Sequence, residues 1–231
     1  MTYIFSIEGN IGSGKSTLVK ELQKHVPNIL GKEIIYVQEP VDEWSNIKDK
    51  NDETIIEKFY ANQHKYAFSF QMMAYISRLS LLRKVVRDHP NSIIITERSV
   101  FTDREVFAKM LYDEGKIEEV DYQIYLKWFN EFIEELPITG LIYVNTTPEK
   151  SKERVNIRAR VGETIPLSYL QRCHNYHESW IKTIKKQVCL FDGNVDFKND
   201  LRHDAKDLVT GFIIRHVFPE SDPHMYTMCT S

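Results

Sequence analysis

Gly9-Asn10-Ile11-Gly12-Ser13-Gly14-Lys15-Ser16 places glycines, a lysine and a hydroxyl at the spacing G-x4-G-K-[ST]. That spacing suits phosphate: glycines let successive backbone N–H groups close around its oxygens, and a helix starting there adds a favourable dipole. Lys15 would reach the β- and γ-phosphates, and the Ser16 hydroxyl would hold Mg2+. The flanks agree, with the strand-like run Tyr3-Ile4-Phe5-Ser6-Ile7 before the loop and an amphipathic segment after it, apolar at Leu18, Val19, Leu22 and Val26. A mere Gly-rich turn with an exposed lysine would lack that context. The loop predicts a bound nucleoside triphosphate.

Two acidic positions could act on whatever accepts the phosphate. Glu39 precedes Pro40, which biases it to extended geometry at a strand end. A carboxylate there could take the proton of a hydroxyl attacking the γ-phosphate, although the same dipeptide also suits a surface turn. Glu97 and Arg98 follow Ile93-Ile94-Ile95-Thr96. Glu97 would support Mg2+ through water while Arg98 clamps the transferring oxygens or the attacking end of the acceptor, the plainer alternative being an internal ion pair. Glu97 competes with Glu39 for the role of base. Glu39 is favoured, because a carboxylate tied to a metal is a poorer proton acceptor.

Gln71, Ala74 and Arg78 recur at spacings of three and four along a helical pattern whose apolar positions are Met72, Ile76, Leu79, Leu82 and Val86. As a pocket wall, Gln71 would offer a paired donor and acceptor and Arg78 a fixed fork; as bare spacing, the stripe also fits a solvated face. Asp103 would orient Arg78 or accept from an exocyclic amine, and Phe70 and Trp44 would add aromatic surface or simply core. Arg154, Arg158 and Arg160 could form a cationic lid over a triphosphate or a solvated basic face, and Glu163 just beyond could bind a sugar hydroxyl. Cys173, His174 and His177 lack a second cluster to complete a metal site and read as structural helix residues.

The elements that must position these residues alternate. Strand-like runs cover about 3–7, 34–38, 92–96, 141–145 and 188–191, and helical patterns cover about 14–27, 53–88, 103–135, 148–160, 166–186 and 201–217. The alternation predicts an α/β fold with an open five-stranded parallel sheet between helices, whose ligands sit beyond the carboxyl ends of the strands. The Glu39, Glu97, lid and Asp196-Phe197 segments would then all reach one rim with the phosphate loop. One domain is expected over 1–218, with a disordered tail over 219–231.

The 231 residues are 42% hydrophobic and 27% charged with a net charge of −3, which argues against a nucleic-acid surface. No apolar stretch reaches membrane length, three widely spaced cysteines suit a reducing compartment, and a first strand starting at Tyr3 leaves no room for a leader. A cytoplasmic protein is expected.

Together these motifs resemble the deoxyribonucleoside kinase family, in its deoxycytidine/deoxyguanosine kinase-like branch. The likeness runs over about 3–217 and rests on the phosphate loop extended through Thr17, on Glu39-Pro40-Val41 with Trp44, and on Ser69-Phe70-Gln71 with Arg78. It continues through Glu97-Arg98-Ser99 with Asp103-Arg104, Arg158-x-Arg160 with Glu163, His174-x-x-His177-Glu178-x-Trp180 and Asp196-Phe197-Lys198. The resemblance implies a P-loop kinase fold with an arginine-bearing lid, ATP or another triphosphate as donor, Mg2+ and a homodimer. It implies Glu39 as the base for a nucleoside 5′-hydroxyl with Arg98 at the same end, and Tyr60 and Glu163 on the 3′-hydroxyl. Gln71 would pair with the acceptor base, Arg158 and Arg160 would line the donor phosphates, and Asp196 and Phe197 would lie near the donor base. The Arg78–Asp103 pair is similar to that of the cytidine and purine types, which disfavours thymidine. A thymidine-accepting or broad-specificity kinase is the alternative. Further off stand a nucleoside monophosphate kinase, and a GTP switch whose Asn-Lys-x-Asp motif is missing here.

Overall fold

In a computed structural model, the described residues are 1–160, 162–195 and 203–219. The chain opens with β1 (Tyr3–Glu8), α1 (Lys15–His25), β2 (Asn28–Ile29), β3 (Lys32–Val37), α2 (Val41–Asn46), α3 (Ile55–Ala61), α4 (Gln63–Asp88) and β4 (Ile93–Glu97). It continues through α5 (Val100–Thr102), a π-helical stretch (Asp103–Ala108), α6 (Lys109–Asp113), α7 (Glu119–Phe132), β5 (Gly140–Asn145), α8 (Pro148–Arg158), α9 (Leu167–Thr183), β6 (Val188–Asp192) and α10 (His203–Val217).

The sheet order is β2-β3-β4-β1-β5-β6, and every pair but β2–β3 is parallel. β1 and β4 are buried on both faces apart from Tyr3, as expected of strands with helices above and below. On one face Ile4, Ile94 and Leu141 share a core with Leu79, Leu82, Tyr125 and Leu170. On the other, Phe5, Ile7, Ile95 and Ile142 meet Leu18, Leu22, Phe212 and Ile213. This alternation pins the register Ile7↔Glu97 and Glu8↔Tyr143, because a slip of one residue would turn each core side chain to the opposite face.

All five anticipated parallel strands are present. The sixth, β2, is a two-residue antiparallel edge closed by Leu30 and Gly31, both with positive φ, and is too short to show as a periodic run. Two anticipated helices are subdivided. The 53–88 stretch breaks at Asn62, which ends α3 and caps α4 by accepting from Lys65 N at 3.2 Å. The 103–135 stretch begins with the π-helical segment and is interrupted after α6, where Gly115 takes φ 67°. Both breaks are made by local backbone geometry at Asn62 and Gly115, which a hydrophobic repeat does not report. The short α2 was also not anticipated.

Candidate active site

The phosphate loop leaves β1 with Gly9, Gly12 and Gly14 at φ 146°, 77° and 102°. A Cβ on Gly12 would lie 2.5 Å from Ser151 O, so only glycine lets the loop seat against α8. Asn10 Nδ2 donates to Leu170 O at 2.9 Å, which ties the loop to α9. Thr146 Oγ1 and Arg154 Nη1 both donate to Ser13 O, at 3.0 and 3.1 Å. No side chain caps α1 at Gly14, so its first N–H groups face the mouth of the site, where an anion would satisfy them.

Lys15 is only 4% exposed, and its Nζ donates to Asn10 O at 2.6 Å. Burial first, then the nearby Arg98 charge, pulls its pKa down to about 7, against the opposing influence of Glu97 and Glu39. Ser16 Oγ donates to Glu97 Oε1 at 2.6 Å, bringing a hydroxyl from α1 to a carboxylate at the end of β4. Hard oxygen ligands of this kind suit Mg2+.

A second cluster closes the floor. Arg78, buried on α4, donates through Nη2 to Glu39 Oε1 at 2.8 Å, through Nε to Asp103 Oδ2 at 2.8 Å and through Nη1 to Glu97 O at 3.1 Å. Both Asp103 oxygens are engaged, since Nη2 also reaches Oδ1 at 3.3 Å. Asp103 thus orients Arg78, one of the two roles anticipated for it, and each of its oxygens keeps a lone pair for a further donor. Arg98 takes the left-handed φ of 63° and donates from Nη2 to Gly9 O at 3.2 Å. Its Nη1 stands 3.9 Å from Glu39 Oε1, and its guanidinium lies 5.1 Å from the Phe107 ring centroid. Burial alone would raise the pKa of Glu39, but Arg98, Arg78 and Lys15 outweigh it and hold it at about 2. Burial lifts Asp103 above its ordinary range despite Arg78.

The walls are aromatic. Phe70 stacks on Phe59 at 4.6 Å and meets Trp44 edge-on at 5.7 Å, and Trp44 is fixed by its Nε1 donating to Ser77 Oγ at 2.8 Å. Gln71 is 2% exposed, and its Oε1 has no partner among the described residues. Such a buried acceptor costs about 1–3 kcal/mol unless something pairs with it. Over the top, Glu163 accepts from both Arg158 and Arg160, the latter at 2.9 Å. Tyr60 and Glu163 line the same cavity, and burial, then the Glu163 charge, raises the Tyr60 phenol pKa. Arg154 also lines the cavity, and it donates to Gly193 O at 2.6 Å and Val195 O at 2.8 Å as well as to the loop. It connects the phosphate loop to the turn after β6.

One cavity of about 560 Å³ collects nearly every residue singled out in the sequence. Gly9, Asn10 and Ser13 lie beneath it, and Asp196 and Phe197 fall outside the described residues. The sequence reading missed Phe107, which lines the cavity four positions after Asp103, a helical spacing that could have flagged it. It also missed Tyr169, and Glu8 below the loop, where a carboxylate ending an apolar strand was the only signal. His177 is buried in α9 with Nδ1 2.7 Å from Cys173 O.

The family profile described as "Deoxynucleoside kinase" matches residues 5–214. Deoxycytidine kinase 2 of Gallus gallus is 36% identical over 228 residues, covering 84% of this chain and 83% of that protein. Deoxycytidine kinase of Homo sapiens is 33% identical over 225 residues, covering 84% and 85%. The mitochondrial deoxyguanosine kinase of Xenopus laevis is 32% identical over 241 aligned positions, covering 89% of each.

Proposed function

Because the chain belongs to the deoxynucleoside kinase family, we propose that this cavity transfers the γ-phosphoryl group of a nucleoside triphosphate, ATP in the first instance, to the 5′-hydroxyl of a deoxynucleoside in nucleotide salvage. The observation that carries this reading is that Lys15 and Glu39 line the same cavity closely enough for each to shift the other's ionisation. Phosphoryl transfer needs a donor clamp and an acceptor base within one enclosure.

In the reaction, the 5′-oxygen forms its bond to phosphorus as the bond to the β-bridging oxygen breaks, and the hydroxyl proton passes to Glu39 and then to solvent. A carboxylate held near a pKa of about 2 is a weak base, yet it is ionised at every working pH. Weakness is tolerable here, since a loose transition state asks for the proton only late. Arg98 is assigned to the 5′ end, Tyr60 and Glu163 to the 3′-hydroxyl, Gln71 to the base edge, and Phe70 and Phe107 to its faces. Lys15 and the α1 N-terminus hold the donor phosphates, and Arg158 and Arg160 join them when they leave Glu163. Ser16 and Glu97 are the residues that would hold Mg2+, whose chemistry is to neutralise charge on the β- and γ-oxygens.

Deoxycytidine or a purine deoxynucleoside is the proposed acceptor, because a floor built of Arg78, Asp103 and Gln71 favours an amino group over a 4-keto oxygen. A monophosphate acceptor would need additional cations at that end, whereas Arg78 is taken up by Glu39, Asp103 and Glu97 O, which leaves Arg98 to serve the reacting end. Homodimerisation is proposed through α7, which exposes Val120, Ile124 and Trp128 at four-residue spacing, and through Ile76 of the adjoining α4. Among the described residues no helix is long and apolar enough to cross a membrane, and Cys173 and Cys189 are free thiols, which supports a cytoplasmic setting.

The test is a panel of four deoxynucleosides and deoxycytidine monophosphate with ATP and Mg2+, read as ADP release. Wild-type protein should phosphorylate deoxycytidine or a purine deoxynucleoside, and Glu39→Gln should lose about 10²–10⁴-fold in kcat. Turnover of the monophosphate alone, or full activity in Glu39→Gln, would end this reading.

A further inference from the structure

Glu8 ends β1 as a fully buried carboxylate, and among the described residues none of its hydrogen-bond partners is a cation. Ser6 Oγ donates to Oε1 at 2.5 Å, Ser99 N at 3.0 Å and Ser99 Oγ at 2.6 Å, while Thr102 Oγ1 donates to Oε2. Burying a carboxylate costs several kcal/mol, offset here by this set of donors and by the nearby Lys15 charge. Three of the four come from Ser99, which follows Arg98 directly, and from Thr102 at the end of α5.

Arg98 is the residue beside Ser99 whose backbone needs support. Its left-handed φ of 63° costs a side-chain-bearing residue about 1–2 kcal/mol. The strain is held from both sides: Arg98 N donates to Ile7 O at 3.0 Å, Ser99 N to Glu8, and Thr96 Oγ1 to Arg98 O at 3.0 Å. The kink brings the guanidinium to Gly9 O, over Phe107 and toward Glu39.

We propose that Glu8 is a positioning residue for phosphoryl transfer, holding the Ser99–Thr102 turn so that Arg98 stays in its left-handed conformation and meets the reacting end of the acceptor. This rests on the role given to Arg98 above. A carboxylate suits the place because it only accepts, and three of the four donors converge on Oε1 while the fourth takes Oε2. Glutamine has nearly the same shape but would turn an NH2 group toward at least one of those donors.

The experiment compares wild-type protein, Glu8→Gln, Arg98→Ala and the double variant in steady-state kinetics with both substrates varied, beside thermal melts. Glu8→Gln is expected to lower kcat about 10–100-fold while both KM values stay within about twofold, as a small displacement of a catalytic group does. In the Arg98→Ala background the same change should cost nothing more. An equal loss in both backgrounds would mean that Glu8 does not act through Arg98, and a loss confined to KM would mean that it merely shapes binding; either overturns the proposal. Wild-type kcat in Glu8→Gln beside a crippled Arg98→Ala overturns it alone, whereas wild-type kcat in Arg98→Ala removes the premise and the proposal together. If Glu8→Gln does not fold, Thr102→Val deletes one donor to the same carboxylate and should lower kcat a few-fold at constant KM; an unchanged kcat would overturn the idea.

Discussion

Burial and the Arg98 charge pull the Lys15 pKa down from its ordinary 10.5 to about 7, within the physiological range. Donor phosphates would restore the charge, and binding should then take up protons above pH 7. Calorimetry at pH 8 in two buffers of different ionisation enthalpy should give a net uptake that Lys15→Met abolishes; equal heats in both buffers would contradict it. The same shift sets a stability trend. Between about 7 and 10.5 the unfolded chain binds the proton that folded Lys15 has lost, so its contribution favours folding more as pH rises through that window, and its penalty is fully present below pH 7. Arg78 yields a second expectation, because one side chain grips both Asp103 and Glu39. Arg78→Met alone would leave Asp103 buried and unpaired, a loss of about 3–5 kcal/mol. Arg78→Met with Asp103→Ala should melt closer to wild type and shift preference toward thymidine; an unchanged acceptor ranking would refute the specificity argument. The pairing of Arg78 with Asp103 was legible from residue type and position. Its grip on Glu39 was not, since it joins α4 to the end of β3 across the fold.

Gly12 shows how tightly the elements around the donor are meshed. Its φ of 77° and the closeness of Ser151 O mean that Gly12→Ala must either strain the loop or push α8 away. At least about tenfold weaker triphosphate binding is expected by calorimetry, with deoxynucleoside affinity little changed, as for damage confined to the donor side. Equal weakening of both ligands would show that the damage spreads further. The parallel strands were readable because burial on both faces makes them nearly continuous apolar runs, as in Ile93-Ile94-Ile95. The divisions inside the long helical stretches were hidden because Asn62 and Gly115 act through local backbone geometry rather than through hydrophobic period. The lid shows the same limit. Gly162 has a positive φ, and a Cβ there would collide with Glu57, whose carboxylate accepts from Thr54 at the start of α3. That contact ties two segments more than a hundred positions apart, and no sequence spacing encodes it.

At the scale of the molecule, the order β3-β4-β1-β5 brings four strand ends to one rim, which is why motifs scattered from Gly9 to Glu163 could be assigned to one site from their positions after strands. The proposed dimer would use what the sheet leaves outside. Val120, Ile124 and Trp128 are 66%, 42% and 48% exposed, an unusual stripe for a lone chain. Sedimentation should give twice the chain mass, and Ile124→Glu should halve it while leaving the melting temperature within a few degrees; a monomeric wild-type protein would refute the dimer. One last property follows from Glu163, which holds Arg158 and Arg160 and is proposed to meet the acceptor's 3′-hydroxyl. A triphosphate arriving by itself meets cations that are already neutralised, so the enzyme should stay quiet in the absence of anything to salvage. Blank reactions without acceptor should show hardly any ADP, and the cell's energy currency is thereby spared from futile turnover.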